Sequence, residues 1–232
     1  MVGAGPGPRR GVIAVRGALV RLLFAAAVAA LLLAAAVLIF LLPPVVHLLL
    51  DLSGAPAVLG SDAATAHQLS DALVFDLLRG GDFGVPYNGE ALLSAAERSH
   101  LVDVGALLRA VIAIGLLGGV LLVTTILRSG GTATGAGRLR LGEALRDGAL
   151  LLAGAAAAAG LAFTVAFEAT FTLFHGLLFA AGTWTFNPAT DRLVLLYPDA
   201  FWIAAALAFC VALVGAGCAA FVIGRRFVAP RR

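Results

Sequence analysis

Four stretches without a charged residue, 22–50, 110–127, 148–167 and 200–224, decide what this 232-residue chain can become. Each reaches the roughly 17 to 25 residues a helix needs to cross about 30 Å of hydrocarbon. A bilayer core offers no water to bond exposed peptide groups, so each stretch must satisfy its backbone internally, as a helix. A mean hydropathy of +1.03 agrees with lipid as the main solvent. The sequence therefore predicts an all-α polytopic membrane protein with four transmembrane helices, over about 22–43, 106–127, 148–168 and 201–224.

Arg9, Arg10 and Arg16 precede the first run as they would in a secretory signal. A signal's apolar core is only about 7 to 15 residues, so the longer run here reads as a retained span. It ends at Pro43 and Pro44, since the residue before a proline leaves the helical region. The chain has no lysine, and twelve of its sixteen basic residues fall before the first span, within 128–147 or after the fourth span. The positive-inside rule then puts both termini in the cytoplasm and the loops 44–105 and 169–200 on the outer side of the cytoplasmic membrane. Residues 1–18, rich in glycine, proline and arginine, are predicted to be a disordered basic N-terminus. One transmembrane domain follows over 19–225, with a cytoplasmic tail at 226–232.

The pI near 9.5 needs no nucleic acid, because arginines flanking apolar spans set topology and meet anionic headgroups. Cys210 and Cys218, eight residues apart in one helix, stand about 12 Å apart along its axis and cannot bridge. The glycine-rich segment 129–138 lacks the Gly-Lys-Ser/Thr ending of a phosphate loop and reads as a link.

The first outer loop holds structure of its own. After Ser61 and Asp62, apolar residues at Ala66, Leu69, Leu73, Val74, Leu77 and Leu78 have the spacing of an amphipathic helix over 61–78, placed to lie on the bilayer surface. Four glycines and Pro86 then turn the chain across 79–90, and helical sequence runs from there into the second span.

Just ahead of that span, Glu97, Arg98, His100 and Asp103 crowd into a chain that is only 12% charged. Glu97, His100 and Asp103 recur every third residue, so neighbours share roughly one helix face. A carboxylate on one nitrogen of His100 would fix its tautomer and free the other nitrogen as a base. An ion pair with Arg98 explains the acids equally well. If hydrocarbon begins near Leu107, His100 stands about 10 Å above it, at headgroup depth. His175 stands about as far beyond the outer end of the third span. Trp184 and Trp202 bracket the following loop in the layer that tryptophans favour. Arg109 and Glu168, at the edges of spans, are expected to pair with each other. His47 and His67 are read as lying outside the site.

Ester carbonyls lie at that outer depth, which makes acyl transfer or ester hydrolysis the natural chemistry. No Gly-x-Ser-x-Gly elbow occurs, and Ser99, next to His100, faces away from it on a helix. Direct transfer to a substrate amine fits better than a serine nucleophile. No His-Glu-x-x-His spacing supports a metal, and no cofactor is expected. A non-catalytic scaffold, a metal-dependent interfacial lipid hydrolase and a small transporter remain as alternatives.

Glu97, His100, Asp103 and Val104 form Glu-x-x-His-x-x-Asp-Val, and Phe174-His175 follows downstream. Trp184, Asn187, Pro188 and Asp191 then form Trp-x-x-Asn-Pro-x-x-Asp, before Pro198 and Phe201-Trp202. Together these resemble the bacterial four-span membrane family that includes lipoprotein intramolecular transacylase, across about 20–225. The resemblance implies that His100 and His175 are catalytic. One of them would be the base, with Glu97 or Asp103 orienting the His100 ring; the other, or Arg98, would stabilise the oxyanion; and Trp184, Asn187 and Asp191 would support them or bind substrate. It implies a substrate, a lipoprotein whose N-terminal cysteine carries diacylglyceryl, met in membrane lipid. It also implies a reaction, movement of the sn-2 acyl chain to that cysteine's α-amine to give a lyso-form lipoprotein.

Overall fold

The computed structural model describes residues 8–228. It is helical nearly throughout, and among the described residues four helices are long and apolar enough to cross a membrane. These are α1 (Pro8–Phe40), α5 (Ala95–Arg128), α6 (Gly135–Val165) and α9 (Asp199–Val228). The shorter elements α2 (Pro43–Leu52), α3 (Ala55–Leu59) and α4 (Ala63–Arg79) follow α1. A small hairpin of β1 (Pro86–Tyr87) and β2 (Glu90–Ala91) leads into α5. Between α6 and α9 lie α7 (Phe167–Leu178) and α8 (Arg192–Leu196).

Several boundaries differ from expectation. Residues 8–18, expected to be disordered, belong to α1, while 1–7 lie outside the described residues. Pro43 and Pro44 do mark a boundary, but they open α2, where a missing N–H costs nothing. The segment read as a link is short, because Thr134 accepts a bond from Gly137 N–H (3.1 Å) and α6 begins at Gly135. The third apolar run is interrupted. Ala166, at φ −148° and ψ 68°, leaves the helical region and separates α6 from α7.

The chain divides into two compact units. The first comprises Met1–Leu33, Ile114–Ala155 and Leu213–Arg232. Its helices meet through small residues. A Cβ on Gly148 would stand 2.6 Å from Val28 Cβ and 2.7 Å from the Ala25 carbonyl oxygen, and one on Gly142 would stand 2.8 Å from the carbonyl oxygen of Gly224. In lipid, where apolar surface gains little by leaving its solvent, such close backbone approach supplies the dispersion contact that holds helices together. Arg21 pairs with Asp147 through two bonds, one of them Nη2–Oδ1 at 3.0 Å.

The second unit, Ala34–Ala113 and Ala156–Ala212, has a more conventional core. Leu49 and Leu50 of α2, Leu69 and Leu73 of α4, Leu92, Leu93, Leu101, Leu193, Leu196 and Phe201 pack together. The amphipathic helix forms nearly where expected, with Asp62 capping it through Thr65 N–H at 2.7 Å. Its apolar stripe faces this protein core, burying Ala66, Leu69 and Leu73, while Phe75 and Leu78 remain exposed. Arg109 does not pair with Glu168, which is exposed. It donates to the Leu77 carbonyl at the end of α4 (2.7 Å), and Gly105 leaves room, since a Cβ there would lie 2.9 Å from Arg109 Nη1. His47 and His67 clasp α2 to α4. Their rings stack at 4.1 Å, and each donates crosswise to the other helix, His47 to Asp71 and His67 to Asp51, both at 2.8 Å.

Two buried carboxylate bonds fix the start of α5. Ser94 and Glu97 form a reciprocal capping box, in which Glu97 Oε2 accepts from Ser94 N–H (2.7 Å) and Ser94 Oγ accepts from Glu97 N–H (3.3 Å). The second oxygen, Oε1, accepts from Leu193 N–H at the start of α8 (2.7 Å). Glu97 is 2% exposed, so water cannot replace either bond. The first turns of both helices are thereby tied to one side chain.

Two predictions follow from these contacts. Glu97→Ala should lower stability by about 2 kcal/mol, one cap at each helix, with Glu97→Gln intermediate because its single carbonyl oxygen keeps one bond. Thermal unfolding in detergent reads this, and an unchanged midpoint for Glu97→Ala would contradict it. By the same measurement Gly148→Val should destabilise by about 1–3 kcal/mol through overpacking. Gly154→Ala, whose Cβ would meet nothing within 4 Å, should not.

Candidate active site

His100 and His175 arrive from different helices and meet. Their ring centroids are 6.0 Å apart, His100 one turn into α5 and His175 near the end of α7. Around them stands an aromatic wall. Phe179 lies 4.9 Å from His100 and 5.6 Å from His175, Phe186 lies 5.6 Å from His100, and Trp184 lies 5.0 Å from His175.

The two histidines are held differently. His100 is 6% exposed and sits on the helix that Glu97 anchors, and its Nδ1 is buried without a hydrogen-bond partner. His175 is half-buried, with the Phe171 ring 4.0 Å away and tilted by 34°, one helical turn earlier. Its Nδ1 lies 2.9 Å from the Phe171 carbonyl oxygen. A carbonyl oxygen can only accept, so Nδ1 carries the proton and Nε2 keeps its lone pair. Burial pulls the His175 pKa below the ordinary 6.5, against the upward pull of the Phe171 bond. At neutral pH the ring is therefore uncharged, with a basic nitrogen available.

The residues expected to support the pair fall into different roles. Glu97 does not orient the His100 ring, because both of its oxygens serve helix starts. Asp103 is exposed. Arg98 has a buried Nε without a partner, but two residues from His100 on one helix it points about 200° round the axis. Asn187 and Asp191 fold their own loop: Asp191 Oδ2 accepts from Asn187 N–H (2.7 Å) and Asn187 Oδ1 from Ala189 N–H (3.0 Å). Trp184 does reach the site, packed on His175 with its indole Nε1 buried and unpartnered. Among the described residues no three His, Cys, Asp or Glu side chains converge as a metal site would require.

Phe186 and the Phe171 carbonyl are the parts of the site that the sequence reading leaves out. Phe171 and Phe179 stand four residues either side of His175, the spacing that brings side chains together along a helix and just past its end. No comparable signal marks Phe186.

This arrangement can take a proton, using His175 Nε2, among neighbouring aromatic rings. Its surroundings suit a lipid substrate. α7 buries none of its residues, and Leu173, Phe174, Leu177 and Leu178 are exposed on it.

Comparison with known proteins agrees. The family model described as lipoprotein intramolecular transacylase Lit matches residues 22–202, which include both histidines and Trp184. Among solved structures, the membrane integral lipoprotein intramolecular transacylase Lit from Bacillus cereus is similar, with a TM-score of 0.70 at 24% identity over 90% of this chain and 94% of that one. Two variants of that protein, with one histidine replaced by arginine or by alanine, match with a TM-score of 0.65. They are 23% and 22% identical, covering 94% and 95% of this chain and 96% and 97% of theirs. No curated protein matches the chain. At these identities the solved structures bear on the fold, and the family model carries the assignment. The chain belongs to the lipoprotein intramolecular transacylase family, and it is a membrane acyltransferase.

Proposed function

We propose that the reaction moves the sn-2 acyl chain of a diacylglyceryl-modified lipoprotein to the α-amine of its own N-terminal cysteine. The observation that carries this is the 2.9 Å contact between His175 Nδ1 and the Phe171 carbonyl oxygen. The Nδ1–H is committed to that carbonyl, which leaves Nε2 as an uncharged base 6.0 Å, ring to ring, from a second histidine.

The chemistry matches that provision. The attacking amine has a free pKa near 8, so its ammonium form first releases one proton to water, and the neutral amine must lose a second as it bonds to carbon, which a neutral histidine is suited to take. His175 Nε2 accepts the proton as the nitrogen bonds to the ester carbonyl carbon. It then returns the proton to the sn-2 oxygen as the carbon–oxygen bond breaks, leaving an amide and a free hydroxyl. No serine or cysteine of the enzyme is acylated on the way. His100, uncharged among aromatic rings, donates to the oxyanion of the tetrahedral intermediate. Amine and ester belong to one molecule, and their attack closes a ring of about eight atoms, so the enzyme's main task is to hold a bent conformer and exclude water.

The arginine distribution supports a site facing out of the cytoplasmic membrane, with both termini inside. There a lipoprotein tethered by its acyl chains presents ester and amine at headgroup depth. That a histidine was chosen for substitution in the Bacillus cereus protein is in keeping with a histidine mechanism.

Expressing the chain in bacteria that lack N-terminal lipoprotein acylation tests the proposal. Mass spectrometry of lipoprotein N-terminal peptides should show N-acylated, S-monoacylglyceryl cysteine. His175→Ala should abolish it and His100→Ala should reduce it at least 100-fold, with both variants present in the membrane at normal levels. Lack of the product with the unaltered chain, or its persistence in both variants, would refute the mechanism and favour a scaffold.

A further inference from the structure

A tetrahedral oxyanion normally rests on two donors, and His100 supplies one. We infer that the indole Nε1–H of Trp184 is the second, donating to the oxyanion as the amine attacks the sn-2 ester. This rests on the acyl-transfer reading above.

A buried indole N–H without an acceptor is a cost that native structures rarely carry, because the group has lost water and gained nothing. Trp184 Nε1 is in that condition, and its ring packs 5.0 Å from His175, the base. The loop that carries it is built to hold its place. Asn187 and Asp191 bond to their own loop backbone, and Thr183 Oγ1 donates to the Ala180 carbonyl (2.8 Å). Asn187 and Asp191 thus have a reason to stand near the site without touching substrate.

The other unpartnered donor available for this task, Arg98 Nε, points away from His100 round the axis of α5. A neutral donor also suits the site better. A guanidinium beside the attacking nitrogen would favour the neutral amine but would equally oppose protonation of His175, the step the mechanism needs. An indole N–H strengthens its bond only as negative charge grows on the carbonyl oxygen, so its contribution is confined to the transition state. The balance of the step is unchanged by it: the nitrogen–carbon bond forms, the carbon–oxygen bond breaks, and the amine proton ends on the sn-2 hydroxyl.

The test uses the purified full chain in detergent with a synthetic diacylglyceryl-cysteinyl lipopeptide. Trp184→Phe keeps an aromatic ring against His175 and deletes the donor. Its kcat should fall about 100-fold, the usual effect of losing one such donor, with KM within about 3-fold. A wild-type kcat, or a loss confined to KM, would overturn the proposal. No turnover by the unaltered chain would instead defeat the acyl-transfer reading itself. If Trp184→Phe fails to fold, the indole 15N–1H signals of the unaltered chain decide. There are two tryptophans, and Trp202→Phe assigns them. Adding a phosphonate analogue of the tetrahedral intermediate should move the Trp184 proton downfield, and an unmoved signal would overturn the proposal.

Discussion

One buried carboxylate sets the position of much else in the second unit. Glu97 ties the first turn of α5 to its own capping serine and, through its other oxygen, to the first turn of α8. His100 stands three residues further along α5, so its place is fixed relative to α8 by a side chain that never reaches its ring. Leu193 and Leu196 of α8 enter the same core as Leu92, Leu93 and Leu101, so the carboxylate bonds and the apolar contacts hold the same arrangement. A carboxyl group buried there is tolerable because each oxygen meets a backbone donor that would otherwise be unsatisfied.

The opposite side of the site is built on another principle. α7 contributes nothing to the buried core, and ring contacts with Phe171, Phe179 and Trp184 surround His175. Those contacts are directional but individually small. A membrane enzyme whose substrate is a lipid needs one wall that lipid can reach, and the exposed leucines and phenylalanine of α7 offer such a wall without an aqueous cleft. His175 therefore stands on the lightly packed helix, and His100 on the firmly capped one.

Much of this was legible in the sequence because lipid imposes a simple rule: the absence of charge over about 20 residues marks a span. The four long helices, the amphipathic α4 with its Asp62 cap, and the common depth of His100 and His175 all follow from spacing. The misreadings share a cause, which is that spacing does not reveal where a hydrogen bond ends. Glu97 has the register to face His100, yet the Ser94 four-residue pattern of a capping box was the stronger signal. Arg109 and Glu168 looked like partners because both are costly in lipid, but a backbone carbonyl at the end of α4 satisfied the arginine. The Asn88-Gly89 pair was a readable hairpin signal, and both residues adopt positive φ (52° and 84°). The break at Ala166 had no signal at all, since no proline or glycine marks it. The tautomer of His175 is likewise invisible in sequence, because it depends on a carbonyl and not on a side chain.

That tautomer is the hinge of the proposed mechanism. The most direct measurement is the 15N NMR spectrum of the histidine side chains at pH 7 in the detergent-solubilised chain, assigned by the loss of signals in His175→Gln. His175 should show a protonated, pyrrole-type Nδ1 and an unprotonated, pyridine-type Nε2, as a neutral ring bonded to the Phe171 carbonyl requires. A pyridine-type Nδ1 with a protonated Nε2, or a fully protonated ring, would contradict the assignment of His175 as the base.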